Sequence, residues 1–194
     1  MYVSPKPERS RAASRRILTT RVIVLVASAV LSPVGLGSCT GAEEQALERQ
    51  LAGGLVEGRS NSSLAGFVTV KRRAGVVKLF LNVVNVAPGD HGVHLHQTGD
   101  CTALDASSAG PHWNPENHQH GGPADSAHLG DLGNLHVDDT GRGLLTFTSA
   151  GWSLGDGTEF DILGRALVVH DKADDLVSQP AGNSGARIGC GVIH

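Results

Sequence analysis

Between Phe67 and His170 the chain alternates short apolar runs with clusters of turn-forming residues. FVTVK at 67–71 and VVKLFLNVVNV at 76–86 are rich in β-branched and apolar residues, and RRAG between them reads as a turn. GLLTFTS at 143–149 alternates cleanly after a hairpin turn at Asp139-Thr140-Gly141. FDILGRALVVH at 160–170 places Ile162, Ala166, Val168 and His170 on one face of a further strand. Pro88-Gly89-Asp90 breaks the chain before GVHLHQTGDC at 92–101. Successive strand side chains point to opposite faces, so His94 and His96 project from the same one. The pattern predicts an all-β fold, an antiparallel sandwich or barrel. Residues 98–134 break the rhythm with a long stretch rich in Gly, Pro and His. A long ordered loop in a compact domain usually carries function.

The first 38 residues read differently. Six Lys/Arg and one acid precede or flank the apolar run VIVLVASAVL at 22–31, which Pro33, Gly35 and Gly37 then interrupt. The run is short for a bilayer span and fits a signal peptide over residues 1–38. Leu36-Gly37-Ser38-Cys39 resembles the lipobox of bacterial lipoproteins, in which cleavage before the cysteine leaves it lipid-modified. The alternative is an ordinary cleavable signal with an incidental Cys39. Ser14-Arg15-Arg16-Ile17-Leu18 also resembles a twin-arginine export motif, which leaves the export route open. Residues 39–63 read as a tether between membrane and fold, and residues 64–194 as the β domain.

Charge and cysteines sharpen this. Residues 39–194 hold ten basic and eighteen acidic residues, a net of −8, which argues against nucleic acid as a partner. With 26 Gly and 4% aromatics, the composition suits a turn-rich β fold. There are three cysteines, and export favours pairing. A Cys101–Cys190 disulfide would leave Cys39 for the lipid.

The chemistry concentrates at 110–134, GPHWNPENHQHGGPADSAHLGDLGN, which contains His112, His118, His120 and His128, with Asp131 three residues after the last. Imidazole suits zinc and copper, and three nitrogens with one carboxylate make a good tetrahedral zinc set. GVHLHQTGD, AGPHWNP, HGGP, HLGDLGN, LVVHDKADDL and GARIGCGVI, in that order, resemble the copper/zinc superoxide dismutase family from about residue 64 onward. The resemblance implies a Greek-key antiparallel β-sandwich or barrel with long metal-binding and active-site loops. It implies copper ligands at His94, His96, His112 and His170. Zinc would take His112, shared as a bridge, with His120, His128 and Asp131. Asp174 would accept hydrogen bonds from one histidine of each metal. Arg187 would attract the superoxide anion beside the copper, and Cys101 and Cys190 would pair.

The implied reaction converts superoxide to dioxygen and hydrogen peroxide, with Arg187 and His112 as the catalytic residues and copper as the redox metal. The implied role is protection of the cell envelope, at the periplasm or outer surface, with a membrane anchor through lipid on Cys39. Some features depart from the familiar eukaryotic pattern. Cys101 directly follows Gly99-Asp100, as in bacterial members. Trp113 reads as a packing residue. His91, His118, His136 and His194 have no assigned role. Lys172 is the only base between His170 and Arg187, which puts a multi-lysine steering field in doubt. A metal-buffering lipoprotein and a purely structural sandwich are the competing readings, and a homodimer and a monomer both remain open.

Overall fold

The computed structural model describes residues 51–123 and 126–194. The expected signal peptide, the lipidated Cys39 and the first part of the tether lie outside the described residues. Eight strands follow one another: β1 Leu51–Gly58, β2 Ala65–Arg73, β3 Val76–Val84, β4 Gly89–His96, β5 Asp131–Val137, β6 Gly143–Ser149, β7 Ala166–His170 and β8 Arg187–Val192. They close a barrel in the order β1-β2-β3-β6-β5-β4-β7-β8. Every neighbouring pair is antiparallel, with β1 completing the circle against β8. The chain skips from β3 to β4 across β6 and β5, the crossing that defines a Greek key.

Alternation explains why these residues form these strands. In β3, Val77, Leu79, Leu81 and Val83 are buried while Val76, Lys78, Asn82 and the rest of the other face are less so. They meet Val68 and Val70 of β2, Val93 and Leu95 of β4 and Leu135 of β5 in one core. Each such side chain contributes about 1.5–3 kcal/mol by leaving water. Because Val93 and Leu95 face this core, His94 and His96 must face outward. They are nonetheless fully buried, because the loops before β5 and between β7 and β8 cover that wall of the barrel.

Two sequence expectations need correction. Leu51–Gly58, read as part of the tether over residues 39–63, is a barrel strand: β1 pairs with β2 from Leu51 to Glu57 and with β8 at Glu57 and Gly58. Its sequence, LAGGLVEG, hides the strand because three glycines and one alanine leave little alternation to read. The strand expected over 160–170 is shorter, beginning at Ala166. Gly164 adopts φ +74°, a left-handed conformation that ends any extended run before it.

A second, smaller cluster lies outside the barrel, where Ala106 and Ala109 pack on Ala166, Val168 and Cys190. The Cys101–Cys190 disulfide, with Cα atoms 5.7 Å apart, fastens this loop to β8. The loop then returns along β4: Gln97 N–H donates to Pro111 O at 3.0 Å and Trp113 N–H to Leu95 O at 2.8 Å. That pairing fixes the backbone on both sides of His112 beside His96.

Candidate metal centre

Four buried imidazoles, His94, His96, His112 and His170, bring ring nitrogens within 4.8 Å of one another. They come from β4, the loop before β5, and the end of β7. In each ring one nitrogen has a partner. His94 Nε2 donates to Asp174 Oδ2 at 2.8 Å, His96 Nδ1 to Gly110 O at 2.8 Å, and His112 Nδ1 to Asp131 Oδ1 at 2.9 Å. His170 Nδ1 donates to Gly185 O at 3.3 Å. The opposite nitrogens, Nδ1 of His94 and Nε2 of His96, His112 and His170, are buried with no hydrogen-bond partner. A ring that donates from one nitrogen as a neutral tautomer carries a lone pair on the other. Converging buried lone pairs are costly unless something accepts them, and a transition-metal ion does.

Electrostatics favours the neutral rings. Burial pushes the pKa of His94 down to about 4, with its hydrogen bond to Asp174 working the other way. Burial likewise lowers His170 to about 3 and His96 to about 2, and the positive charge of Arg187 reinforces both shifts. Rings held unprotonated at neutral pH are ready to ligate.

A second group combines His94, His112, His120 and Asp131. His94 enters it because its ring stacks on His112, centroid to centroid 3.9 Å. His128, expected in this group, lies just outside the grouping but donates from Nδ1 to Asp131 Oδ1 at 3.2 Å. The centroids of His112, His120 and His128 stand 5.5 to 5.6 Å apart, a nearly equilateral triangle. All three direct Nδ1 at the Asp131 carboxylate. His120 Nδ1 comes within 3.0 Å of Oδ2 but is not aligned to donate, and it is a fifth unpaired buried nitrogen. Burial by itself would raise the pKa of Asp131, but the hydrogen bond from His112 and the three imidazoles together hold it below the usual carboxylate range.

Asp174 joins the two groups. Its Oδ2 receives His94 Nε2 at 2.8 Å and its Oδ1 receives His120 Nε2 at 2.9 Å. Asn134 on β5 in turn grips the Asp174 backbone, accepting from its N–H at 2.7 Å and donating to its C=O at 2.9 Å. Gly182, at φ +64°, packs so closely that a Cβ there would lie 2.6 Å from His120 Nε2. Sequence reasoning passes over Asn134, although it sits inside the HLGDLGN motif. It also passes over Gly110, whose carbonyl no side-chain pattern announces.

A cavity of about 700 Å³ opens onto His96, His112, His170 and Arg187. The Arg187 guanidinium donates to Ala106 O and Gly110 O, each at 2.8 Å. Gly110 O therefore holds Arg187 and His96 at once. Trp113 packs in the core, as expected. His91 lies outside both groups, with its ring nitrogens 2.7 Å from His170 O and 2.8 Å from Ala87 O. His118 is exposed, and His136 pairs with Asp90 on the surface at 2.9 Å.

Residues 64–193 match the family described as copper/zinc superoxide dismutase (SODC). The extracellular copper/zinc superoxide dismutase of Haemonchus contortus is 33% identical over 177 residues, covering 88% of this chain and 95% of that protein. Its Caenorhabditis elegans counterpart is 33% identical over 143 residues, 70% of this chain but only 63% of the relative. A crystal structure of a double mutant of a SOD-like protein from Bacillus subtilis superposes with a TM-score of 0.65 at 35% identity, covering 72% of this chain and 95% of that one. With the family match running through every histidine of both donor groups, the chain belongs to the copper/zinc superoxide dismutase family, oxidoreductases that carry copper and zinc.

Proposed function

We propose that the protein is a superoxide dismutase of the cell envelope, exported and anchored through lipid on Cys39. In this reading copper is held by His94, His96, His112 and His170, and zinc by His112, His120, His128 and Asp131, with His112 bridging them. The observation that carries it is the set of five buried imidazole nitrogens without hydrogen-bond partners, arranged in two groups that share His94 and His112. The residues fit the metals. The unpaired nitrogens of the first group make an all-imidazole site suited to copper, and the second adds the carboxylate that completes a zinc set.

Copper supplies a one-electron couple and zinc, which has no accessible redox change, supplies charge. The chain's own residues supply the rest. The two backbone carbonyls that hold the Arg187 guanidinium leave it on the cavity wall beside His96 and His170, where it can bind an anion. The charge of −8 on residues 39–194 repels superoxide at long range, so capture rests on this local cation. His112 also lines the cavity, and its Nε2, when not ligating a metal, is the nitrogen able to hold a proton and pass it to a dioxygen anion. Two superoxide anions and two protons yield one dioxygen and one hydrogen peroxide.

Export is supported by the disulfide, which suits an oxidising compartment, and by the extracellular relatives. The test is superoxide decay catalysed by the protein loaded with one copper and one zinc. Fast decay that disappears on copper removal is the expected result. Full metal occupancy with decay no faster than buffer would sink the reading and leave metal storage.

A further inference from the structure

His120 stands in a segment without helix or strand, yet it is only 4% exposed. Among the described residues, neither its backbone N–H nor its C=O enters a backbone–backbone hydrogen bond. One side chain satisfies both. His120 N–H donates to Gln179 Oε1 at 2.8 Å, and Gln179 Nε2 donates to His120 O at 2.8 Å. The carboxamide thus stands in for a neighbouring strand, from 59 residues away.

We propose that Gln179 is a positioning residue for the second metal pocket. Its amide fixes the His120 backbone while Asp174 fixes the His120 ring, so that Nδ1 is presented toward Asp131. The inference rests on the metal-centre reading above. A ligand needs both its ring orientation and its backbone position set, and here one loop delivers both restraints. That loop braces itself. Asp175 accepts from the N–H groups of Val177 at 3.0 Å and Ser178 at 2.8 Å, and Asn183 Nδ2 donates to Asp175 Oδ2 at 3.0 Å. Gly182 N–H closes back on Ser178 O at 2.7 Å. Gln179 therefore reaches His120 from a fixed support. Asn134 grips Asp174 by the same two-point arrangement, so two carboxamides hold the two ends of the Asp174–His120 link.

Nothing in the sequence distinguishes Gln179 from a solvated loop residue, since the Gln179-Pro180 pair reads only as a turn. The contact becomes visible only when the β7–β8 loop folds over the zinc-side histidines.

The test uses cobalt(II) as a spectroscopic stand-in for zinc, titrated into the copper-loaded protein and into its Gln179→Met and Val177→Ala variants. Gln179→Met keeps the side chain's length but loses the amide. Val177→Ala trims an exposed side chain of the same loop and leaves its backbone hydrogen bonds in place. We expect Gln179→Met to weaken cobalt binding by about tenfold, the low end for residues that orient a ligand. Its cobalt absorption bands should shift while the copper spectrum stays at wild type, and Val177→Ala should match wild type throughout. Wild-type cobalt affinity and bands in Gln179→Met would overturn the proposal alone. If the wild-type protein gives no cobalt bands, the metal-centre reading falls and this inference falls with it.

Discussion

Nε2 of His94 donates to Oδ2 of Asp174 across 2.8 Å, with both side chains fully shielded from solvent. The other carboxylate oxygen receives His120 Nε2 at 2.9 Å. One buried aspartate from the loop after β7 therefore sets the tautomer of a ring on β4 and of a ring in the loop before β5. Burial alone would raise the Asp174 pKa, but the hydrogen bonds from His94, Leu176 N–H and His120 keep it low, so it remains the acceptor.

Replacing Asp174 by Asn should therefore loosen both pockets. An amide has one acceptor oxygen where two ring N–H groups need one each, so either His94 or His120 faces an NH₂ group. Metal affinity should fall by about ten- to a hundredfold, the range for residues that orient ligands. Metal titrations followed by calorimetry measure it. Wild-type affinity for both metals would show that the rings are held without Asp174.

Strand parity alone marks His94 and His96 as a pair on one face, and the clean alternation of Val77, Leu79, Leu81 and Val83 marks β3. Both are legible in the sequence. β1 is not, because LAGGLVEG carries too few side chains to show which face is buried. The histidines of the 110–134 stretch are visible as a cluster, but their division into two pockets enters only through the family resemblance and not through spacing. That division depends on which ring nitrogens Asp131 and Asp174 engage, and such contacts follow from loop packing. Asn134, Gln179 and the Gly110 carbonyl act through backbone groups, which leave no mark in a residue pattern.

Acid should destabilise the metal-free protein. The folded-state pKa values of His94, His96 and His170, about 4, 2 and 3, lie below the ordinary 6.5. Between those values and 6.5 the unfolded chain binds more protons, so stability rises with pH. It is full above pH 6.5 and is lost as pH falls from 6.5 toward 4, 2 and 3 for the three rings in turn, by up to about 1.4 kcal/mol per pH unit for each. Urea unfolding of metal-free protein at pH 7.5, 6 and 5 should give steadily lower midpoints, and His96→Gln should flatten the trend. A midpoint that does not move over this range would mean the rings are not held neutral by burial.

The disulfide closes a loop between positions 89 residues apart. In the chain-entropy view, that constraint contributes about 4–5 kcal/mol by restricting the unfolded chain. The double variant Cys101→Ser, Cys190→Ser should lose most of it, read as a lower urea midpoint with a changed slope. A loss under about 1 kcal/mol would place the stability of this loop in the Ala106, Ala109, Val168 cluster instead.

Arg187 is held by two carbonyls of the loop that the disulfide anchors, and one of them, Gly110 O, also holds His96. Its guanidinium thus sits at a fixed place on the cavity wall. In a body of net charge −8, a local cation must do the attracting, because the long-range field opposes an anion. Arg187→Ala should cut the second-order rate for superoxide by about tenfold or more with metal content unchanged. Arg187→Lys should recover part of the rate, since a lysine restores the charge but cannot span Ala106 O and Gly110 O as the planar guanidinium does. The residual rate of Arg187→Ala should also rise with added salt, because only the repulsion from the acidic body is left to screen. Fast-mixing measurements at two ionic strengths separate these effects. An alanine variant with wild-type rate and wild-type salt dependence would remove Arg187 from anion capture and leave it a purely structural tie between β8 and the loop.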